Sequence, residues 1–268
     1  VHRYSVDAAW LVPHFEKMLY DQAQLVAVYL EAVQATGEAE WAEVARDTLG
    51  YLVRDLAAPD GGYYAGEDAD SARPDRPDEH GEGAFYAWTA AEFAAACGEG
   101  AESAGRLLGV RPEGNVPVGA DPQGELRGMN ILWRAEPWPQ GAAGARLAEA
   151  RRRLLVARQC RPRPGRDGKI VTAWNGLAIS ALARAAQVLD DPAWREAAVR
   201  TARFLRTNLW DAATGRLRRS WCAGRSEVSG FAEDYACLIA GLIDLHEAGG
   251  GVEWLQWAET LQERMEVI

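Results

Sequence analysis

Carboxylates are the side chains of this sequence with the clearest capacity for chemistry. They form three groups along the chain: Glu16 with Asp21, Glu67 with Asp68 and Asp70, and Glu233 with Asp234. Carboxylates that share a cavity raise one another's pKa values, so one can act as an acid while another acts as a base near neutral pH. Such a pair suits glycosidic hydrolysis or a proton transfer at a sugar carbon. We therefore expect a sugar site with Asp68 or Glu16 as the acid and Asp234 as the base.

Aromatic and polar residues stand near these acids in the sequence and would line the ligand. Tyr86, Trp88 and Trp174 offer flat apolar faces that suit a sugar ring. The predicted substrate-binding set is His14, Asp21, Glu67, Asp70, Tyr86, Trp88, Trp174, Asn175 and Glu233. Neither a metal nor a cofactor is predicted for this site.

The same residues also have purely structural interpretations. The helix dipole favours acidic residues at helix starts, and this effect alone can explain Glu16, Glu233 and Asp234. The acidic run 67–70 equally fits a solvated turn or a structural cation site. A histidine directly after a proline, such as His14, fits a structural role, and an asparagine at a helix start can cap its own helix. The hypothesis of a site depends on all of these residues meeting at one end of the fold.

A repeated pair of helices is predicted to position these residues. Three times, an aromatic or acidic residue opens an apolar helix, and a tryptophan 20 or 21 positions later opens a second one. The pairs are Tyr20 with Trp41, Trp174 with Trp194, and Asp234 with Trp254. The first helix of each pair is apolar on nearly every side, whereas the second has one apolar stripe. Alternating inner and outer helices are typical of an α/α toroid.

The predicted bounds follow from the same periodicity. Inner helices are expected at 15–33, 174–189 and 235–245, and outer helices at 41–56, 194–209 and 254–265. Asp191 before Pro192, and Thr89 with Glu92, match helix N-terminal caps. Short extended arms are expected at 61–64 and 215–217, and a long irregular loop at 111–140. The predicted fold is all-α, a single domain over 1–268 that forms an incomplete toroid of helical hairpins with short β-arms between them.

Composition narrows the classes of function. With 268 residues and 48% hydrophobic content, the chain can bury a sizeable core. The net charge of −10 argues against a nucleic-acid partner, and no run of 18 apolar residues indicates a membrane span. The four cysteines show no C-x-x-C spacing, so neither zinc nor a redox pair is indicated. Free thiols and no visible signal peptide lead us to expect a cytoplasmic protein.

Five sequence blocks resemble the spermatogenesis-associated protein 20 family. They are HFEKMLYDQA at 14–23, EDADS at 67–71, EGAFY at 82–86, WNGL at 174–177 and EDYA at 233–236. The resemblance implies an N-terminal thioredoxin-like domain followed by an (α/α)6 toroid of the six-hairpin glycosidase type. This chain resembles the middle of that toroid and lacks the thioredoxin-like domain, so the resemblance implies no redox activity for these residues. It implies the thioredoxin-like domain as a partner attached in the longer protein.

Two functions of different classes remain open. In the first, the chain is a carbohydrate-related domain that hydrolyses or epimerises a sugar through paired carboxylates. In the second, it is a non-catalytic binding or scaffold module that serves the thioredoxin-like domain. Carboxyl groups about 5–10 Å apart across an open cavity would favour the first. Carboxylates tied to backbone amides or arginines would favour the second.

The sequence also leads us to expect a fragment of a longer chain. It opens without a methionine and ends inside a predicted helix. Helical hairpins in an array are stabilised by their neighbours. We therefore expect this chain alone to be poorly soluble or to associate with itself.

Overall fold

The computed structural model describes residues 2–224 and 228–267, which are mainly helical with short strands. The helices are α1 (Leu19–Thr36), α2 (Ala39–Tyr51), α3 (Ala90–Cys97), α4 (Ala101–Leu107), α5 (Gly141–Gln159), α6 (Thr172–Val188), α7 (Pro192–Asn208), α8 (Ala232–Glu247) and α9 (Val252–Met265). The strands are β1 (Lys17–Met18), β2 (Gly66–Glu67), β3 (Asp70–Ala72), β4 (His80–Glu82), β5 (Arg166–Asp167), β6 (Ile170–Val171), β7 (Trp210–Asp211), β8 (Arg216–Leu217) and β9 (Ser220–Trp221).

The contacts of the chain divide it into two compact units. The hairpin unit comprises Lys17–Glu67 and Arg166–Ile268, and the inserted unit comprises His2–Glu16 and Asp68–Gly165. Each unit has hydrophobic clusters of its own. The single domain expected over 1–268 stays a prediction.

The hairpin unit consists of three helical hairpins, α1/α2, α6/α7 and α8/α9, whose inner helices pack side by side. Helix α6 lies between α1 and α8. The core of the hairpin unit is built mainly from fully buried leucine and isoleucine side chains: Leu19, Leu30, Ile179, Leu182, Leu238, Leu242 and Leu245. The tryptophan that marks each outer helix is the third residue of that helix, at Trp41, Trp194 and Trp254. The predicted fold class, an all-α incomplete toroid of hairpins with short β-arms, is confirmed.

The start of the first inner helix differs from the prediction. Helix α1 begins at Leu19, not at 15, because Lys17 and Met18 form strand β1 against β2, and β2 also pairs with β5. Those partners lie about 50 and 150 residues away in the sequence, so helical periodicity cannot reveal them. His14 and Glu16 therefore precede the helix and do not lie on its first turn.

The remaining arms and outer helices also differ in detail. The arm predicted at 215–217 is strand β8, which pairs with β7. The arm predicted at 61–64 forms only an isolated bridge between Ala57 and Tyr63. Helix α2 ends at Tyr51 and continues as a π-helical turn, Leu52–Leu56. The proline-led cap at Asp191 is present, since its carboxylate accepts a hydrogen bond from the Ala193 N–H at 3.0 Å.

Two glycines let α6 and α8 approach backbone to backbone. A Cβ built on Gly176 would lie 2.5 Å from the carbonyl carbon of Cys237. A Cβ built on Gly241 would collide with the carbonyl oxygen of Gly176. Interior glycines normally weaken a helix. Here they permit the close helix contact that sets the spacing of the second and third hairpins.

The inserted unit contains α3, α4 and α5 and the β3–β4 pair. Thr89 and Glu92 form the predicted capping box at the start of α3, with both reciprocal hydrogen bonds present. The loop predicted at 111–140 is confirmed, since only a short 3-10 turn, Val118–Ala120, and one isolated bridge interrupt it. Across the described residues, no helix has the length and apolar character needed to cross a membrane.

Candidate functional site

The β3–β4 pair of the inserted unit places two carboxylates directly opposite each other. Asp70 on β3 is the register partner of Glu82 on β4. Burial raises the pKa of Asp70 above its usual value, and the nearby charges of Asp68, Glu82 and Glu125 raise it further, while His80 opposes the shift. Like charges across a strand pair are unfavourable. Asp70 is thus a carboxyl group that keeps its proton to higher pH than an isolated aspartate does.

His14 joins this carboxylate cluster from the N-terminal segment. Its Nδ1 lies 2.8 Å from Oε1 of Glu82, and its Nε2 lies 3.7 Å from Oε2 of Glu16. The same Glu16 oxygen accepts a hydrogen bond from Arg3 at 2.7 Å. The ring of Tyr4 stacks on the imidazole at 4.9 Å between centroids. A half-buried histidine oriented by a carboxylate can accept or donate a proton.

A folded-back loop positions His14. Its backbone N–H donates to the carbonyl of Tyr4 at 3.1 Å, and Val6 N–H donates to the carbonyl of Val12 at 2.9 Å. Asp7 closes the tip of the loop by accepting hydrogen bonds from the backbone of Ala9, Leu11 and Val12. The Phe15 N–H then reaches Oε1 of Glu82 at 3.3 Å. The loop therefore presents the imidazole to Glu82 from a fixed backbone.

Glu125 supports the cluster from the irregular loop. Its Oε2 accepts a hydrogen bond from the backbone N–H of Glu82 at 3.0 Å. Asp68 is exposed, and its Oδ1 receives a long hydrogen bond from Asp70 N–H at 3.4 Å. Of the predicted residues, the structure brings together His14, Glu16, Asp68 and Asp70 in this unit. The sequence-based site omitted Glu82, Glu125 and Arg3. The only signal for Glu82 is its place in the EGAFY block.

Asp234, the predicted base, is completely buried in the hairpin unit. Its Oδ2 accepts the Phe231 N–H at 2.9 Å, and its Oδ1 accepts the Ala173 N–H at 3.1 Å. Arg219 lies 3.3 Å from Oδ2. Burial raises the pKa of Asp234, and the hydrogen bonds from Phe231 and Ala173 and the charge of Arg219 oppose part of that shift. The carboxylate thus caps two helix starts, its own α8 and the neighbouring α6.

Other predicted site residues of the hairpin unit are also engaged in contacts within that unit. The buried Asn175 accepts from the Tyr63 N–H at 2.8 Å and donates to the carbonyls of Tyr63 and Val171. The exposed Glu233 binds Arg219 at 2.7 Å. The half-buried Trp174 meets Tyr20 edge to face at 4.8 Å between centroids. These contacts fasten the backbone and the inner-helix starts together.

Glu67 and Asp21 complete the set in the hairpin unit. The buried Glu67 lies 4.0 Å from the buried Lys17, and the two residues face each other across the β1–β2 pair. Asp21 is half-buried in the first turn of α1. Both carboxylates therefore stand at the entry of the first inner helix. Their binding role stays a prediction.

The two predicted aromatic residues of the inserted unit differ in burial. Trp88 is buried under the guanidinium of Arg161, which lies 4.0 Å from its centroid. Tyr86 is half-buried, stacks against Phe15 at 5.8 Å, and has Arg158 4.9 Å from its ring. Arg161 is therefore buried inside the inserted unit.

The described residues contain no group of three or more histidine, cysteine and acidic side chains arranged to hold a metal ion. The cysteines among them are free thiols. Whether all twelve predicted residues line one cavity stays a prediction.

Comparison with known proteins identifies relatives along the whole chain. No family model matches it. Human and mouse spermatogenesis-associated protein 20 are each 40% identical to it over 294 residues, which cover 100% of this chain and 37% of each relative. These matches confirm the resemblance drawn from the sequence blocks. Because the chain spans little more than a third of those proteins, what the whole proteins do is not carried over to it.

One solved structure with a similar fold is unsaturated glucuronyl hydrolase from Bacillus sp. GL1. It is 14% identical with a TM-score of 0.47, over 92% of this chain and 45% of the hydrolase.

Proposed function

We propose that this chain, which is homologous over its whole length to part of spermatogenesis-associated protein 20, carries an acid–base site for a sugar. The site is the cluster of His14, Glu82, Glu16 and Asp70 in the inserted unit. The observation that carries the proposal is the 2.8 Å contact between the half-buried imidazole of His14 and the Glu82 carboxylate. The reaction is a proton transfer at a sugar carbon or oxygen, as in epimerisation or hydrolysis.

The cluster offers both partners that proton transfer needs. A carboxylate on one imidazole nitrogen holds the ring in place and stabilises its protonated form, so the other nitrogen can serve as a base. Asp70, whose pKa is raised by burial and by its acidic neighbours, holds its proton to higher pH than an ordinary aspartate, which favours the role of the acid. The two roles therefore fall on His14 and Asp70, with Glu82 between them as the positioning group.

A neutral polyhydroxylated ligand suits the surroundings of this cluster. Carboxylates accept hydrogen bonds from hydroxyl groups. Tyr4, which is 48% exposed, adds an aromatic surface beside His14. A ligand with several negative charges would be repelled by Asp68, Asp70, Glu16 and Glu82. The proposed substrate is accordingly a sugar with no charged group at the reacting centre.

The alternative, a non-catalytic binding or scaffold module, is supported by the hairpin unit. Asp234 uses both of its oxygens to cap helices, and Asn175 fastens the Tyr63 backbone. Neither residue offers an exposed polar atom to a ligand. On this alternative the chain would hold a ligand or client for an attached thioredoxin-like domain without turning it over.

The test is to incubate the chain with neutral monosaccharides and disaccharides in deuterium oxide and to follow them by NMR. Epimerisation would place solvent deuterium on a sugar carbon, and hydrolysis would create new reducing ends. We expect His14→Gln to lower the rate at least 100-fold, in line with the usual contribution of a general base, and Glu82→Gln to lower it because the imidazole loses the group that positions it. Glu149→Gln, at an exposed position of α5, is the matched control.

Each outcome of this test has a defined meaning. Turnover that both site variants leave intact would contradict the assignment of the site. A sugar that raises the unfolding temperature but undergoes no exchange or cleavage would favour the binding module.

A further inference from the structure

A cavity of about 430 Å³ lies inside the inserted unit, apart from the His14–Glu82 pair. It is bounded by the turn 73–76, by the segment 125–129 and by Arg161. Its volume falls in the range of small-molecule sites, which is about 300–1,000 Å³. Four arginines line it, Arg73, Arg76, Arg127 and Arg161, against three carboxylates. The lining therefore carries an excess of positive charge within an acidic protein.

Arg161 is the buried member of this set, with 8% of its side chain exposed. Its Nη1 donates to the carbonyls of Phe85 at 3.0 Å and Ala87 at 2.6 Å, which are neutral partners. The nearest carboxylate oxygen, Oε2 of Glu92, lies 3.7 Å from Nη2 and already accepts hydrogen bonds from Thr89. Burial lowers the pKa of this guanidinium, and Glu92 opposes the shift. The Glu92 counter-charge is thus shared with Thr89 and lies beyond hydrogen-bond distance of the guanidinium, so the buried charge can take a second, closer anion.

Two further arginines of the cavity have no carboxylate partner in the part of the chain that the structure describes. The side chain of Arg73 donates to the backbone carbonyl of Glu125 at 3.3 Å. Arg127 is exposed and makes no ion pair there. Arg76, in contrast, is paired with Glu79 at 2.7 Å. Among the lining carboxylates, Glu92 and Glu125 are engaged by backbone N–H groups.

We propose that this cavity binds a small oxyanion, the carboxylate or phosphate group of a small-molecule ligand. Arg161 supplies the buried positive charge, and Arg73 and Arg127 close on the anion from the exposed side. The planar fork of a guanidinium matches the oxygens of either group and can bind two of them at once. The proposal goes beyond the sugar chemistry above, because none of these arginines takes part in the His14 cluster.

The test is calorimetric titration of the chain at constant ionic strength with inorganic phosphate, with glucuronate and with uncharged glucose. We expect saturable binding of at least one anion and none of glucose in this cavity. Arg127→Gln and Arg73→Gln should each weaken anion binding about tenfold, the usual loss for one hydrogen bond between charged groups. Arg152→Gln changes an exposed arginine of α5 that is paired with Glu149, and it is the matched control.

The two anions distinguish the sources of the oxyanion. Binding of phosphate alone would identify a phosphorylated ligand, and binding of glucuronate alone would identify an acidic sugar. Three results would overturn the proposal: no binding of either anion, binding that both cavity variants leave unchanged, or equal weakening by Arg152→Gln. Circular dichroism of each variant separates lost binding from lost folding. Because binding is measured without turnover, a failure of the proposed catalysis would not affect this result.

Discussion

The buried carboxylate of Asp234 accepts hydrogen bonds at the starts of two helices. Its removal should therefore lower the stability of the fold. In Asp234→Ala, the N–H groups of Ala173 and Phe231 would lose their acceptor. A buried donor left without a partner costs about 1–3 kcal/mol. We therefore expect Asp234→Ala to lower the free energy of unfolding by about 3 kcal/mol, measured by urea denaturation.

The neighbouring acid provides the control for that measurement. Glu233 is exposed and forms a surface ion pair with Arg219. Exposed ion pairs contribute about 0–1 kcal/mol, so Glu233→Ala should change stability little. Equal losses in the two variants would contradict the capping role of Asp234.

For Asp70, in contrast, we expect removal of the charge to raise the stability of the fold. It faces Glu82 directly across the strand pair, and like charges in that position are unfavourable by a few tenths of a kcal/mol up to about 1 kcal/mol. Asp70→Asn removes the repulsion without a large change of shape. We expect this variant to be more stable than the parent at pH 7 by about 0.5 kcal/mol, measured by the same urea method.

The gain from Asp70→Asn should depend on pH in a defined direction. The pKa of Asp70 is raised in the folded chain above its ordinary value of 3.8, so the folded state binds more protons than the unfolded state between those two values. The stability of the parent therefore falls as pH rises through that window. The advantage of the variant should be full above the window and should vanish below pH 3.8. A gain that is constant over this pH range would exclude the charge repulsion as its cause.

Single residues were predictable from the sequence only where their contacts are local. The capping box of Thr89 and Glu92 joins residues three positions apart, and the sequence predicts it in full. The contact of His14 with Glu82 spans 68 residues and depends on a folded-back loop and a strand pair. The role of Asp234 as a double cap depends on α6, 61 residues away. Acid-rich blocks could therefore be recognised, but not which acids face a ligand and which fasten helices.

Among the elements, the contact of α6 with α8 leads to a further prediction. A methyl group on Gly176 would collide with the Cys237 backbone, and neither backbone can yield without separating the helices. Overpacking of this kind costs about 1–3 kcal/mol or more. We expect Gly176→Ala to lower the unfolding temperature clearly, measured by circular dichroism at 222 nm.

Gly50 allows the same glycine-to-alanine substitution in the hairpin unit as a control. It lies inside α2, and a Cβ built there meets no atom within 4 Å. Alanine is a better helix former than glycine by about 1 kcal/mol, so Gly50→Ala should stabilise the chain. A loss of stability in both variants would show that the close helix contact is not the cause.

The elements themselves were predictable to the extent that they repeat. The three hairpins follow from apolar periodicity and recurring tryptophans. Their bounds agree within about three residues except at the start of α1 and at the end of α2, where the π-helical turn Leu52–Leu56 follows. Helices α4 and α5 were not identified. Helix α5 has arginines on several sides and only Leu147, Ala150 and Leu154 buried, so its apolar stripe is narrow. Strands of two residues carry too little pattern to be recognised without their partners.

In the whole molecule, the repeat and the proposed chemistry lie in different parts of the chain. The helix starts of the hairpin unit use the polar groups of Asp234 and Asn175 to hold helices and backbone together. The proposed acid–base cluster and the oxyanion cavity both belong to the inserted unit, which is built largely from loops and short strands. Binding groups commonly lie on loops that a regular scaffold supports. The repeat therefore predicts the hairpins, whereas the proposed site lies outside the repeat.

The last prediction concerns an apolar surface of the hairpin unit. Along α8, Ala232, Ala236, Ala240 and Ile243 are exposed on one side, and Phe231 before the helix is 56% exposed. Contiguous apolar surface of this kind promotes association. We expect the chain to self-associate in a concentration-dependent manner, measured by light scattering, and Ile243→Glu to reduce the association. Val156→Glu changes an apolar residue on α5 that is exposed to a greater extent, and it is the control. A monodisperse monomer at all concentrations would contradict the prediction, and equal effects of both variants would locate the association elsewhere.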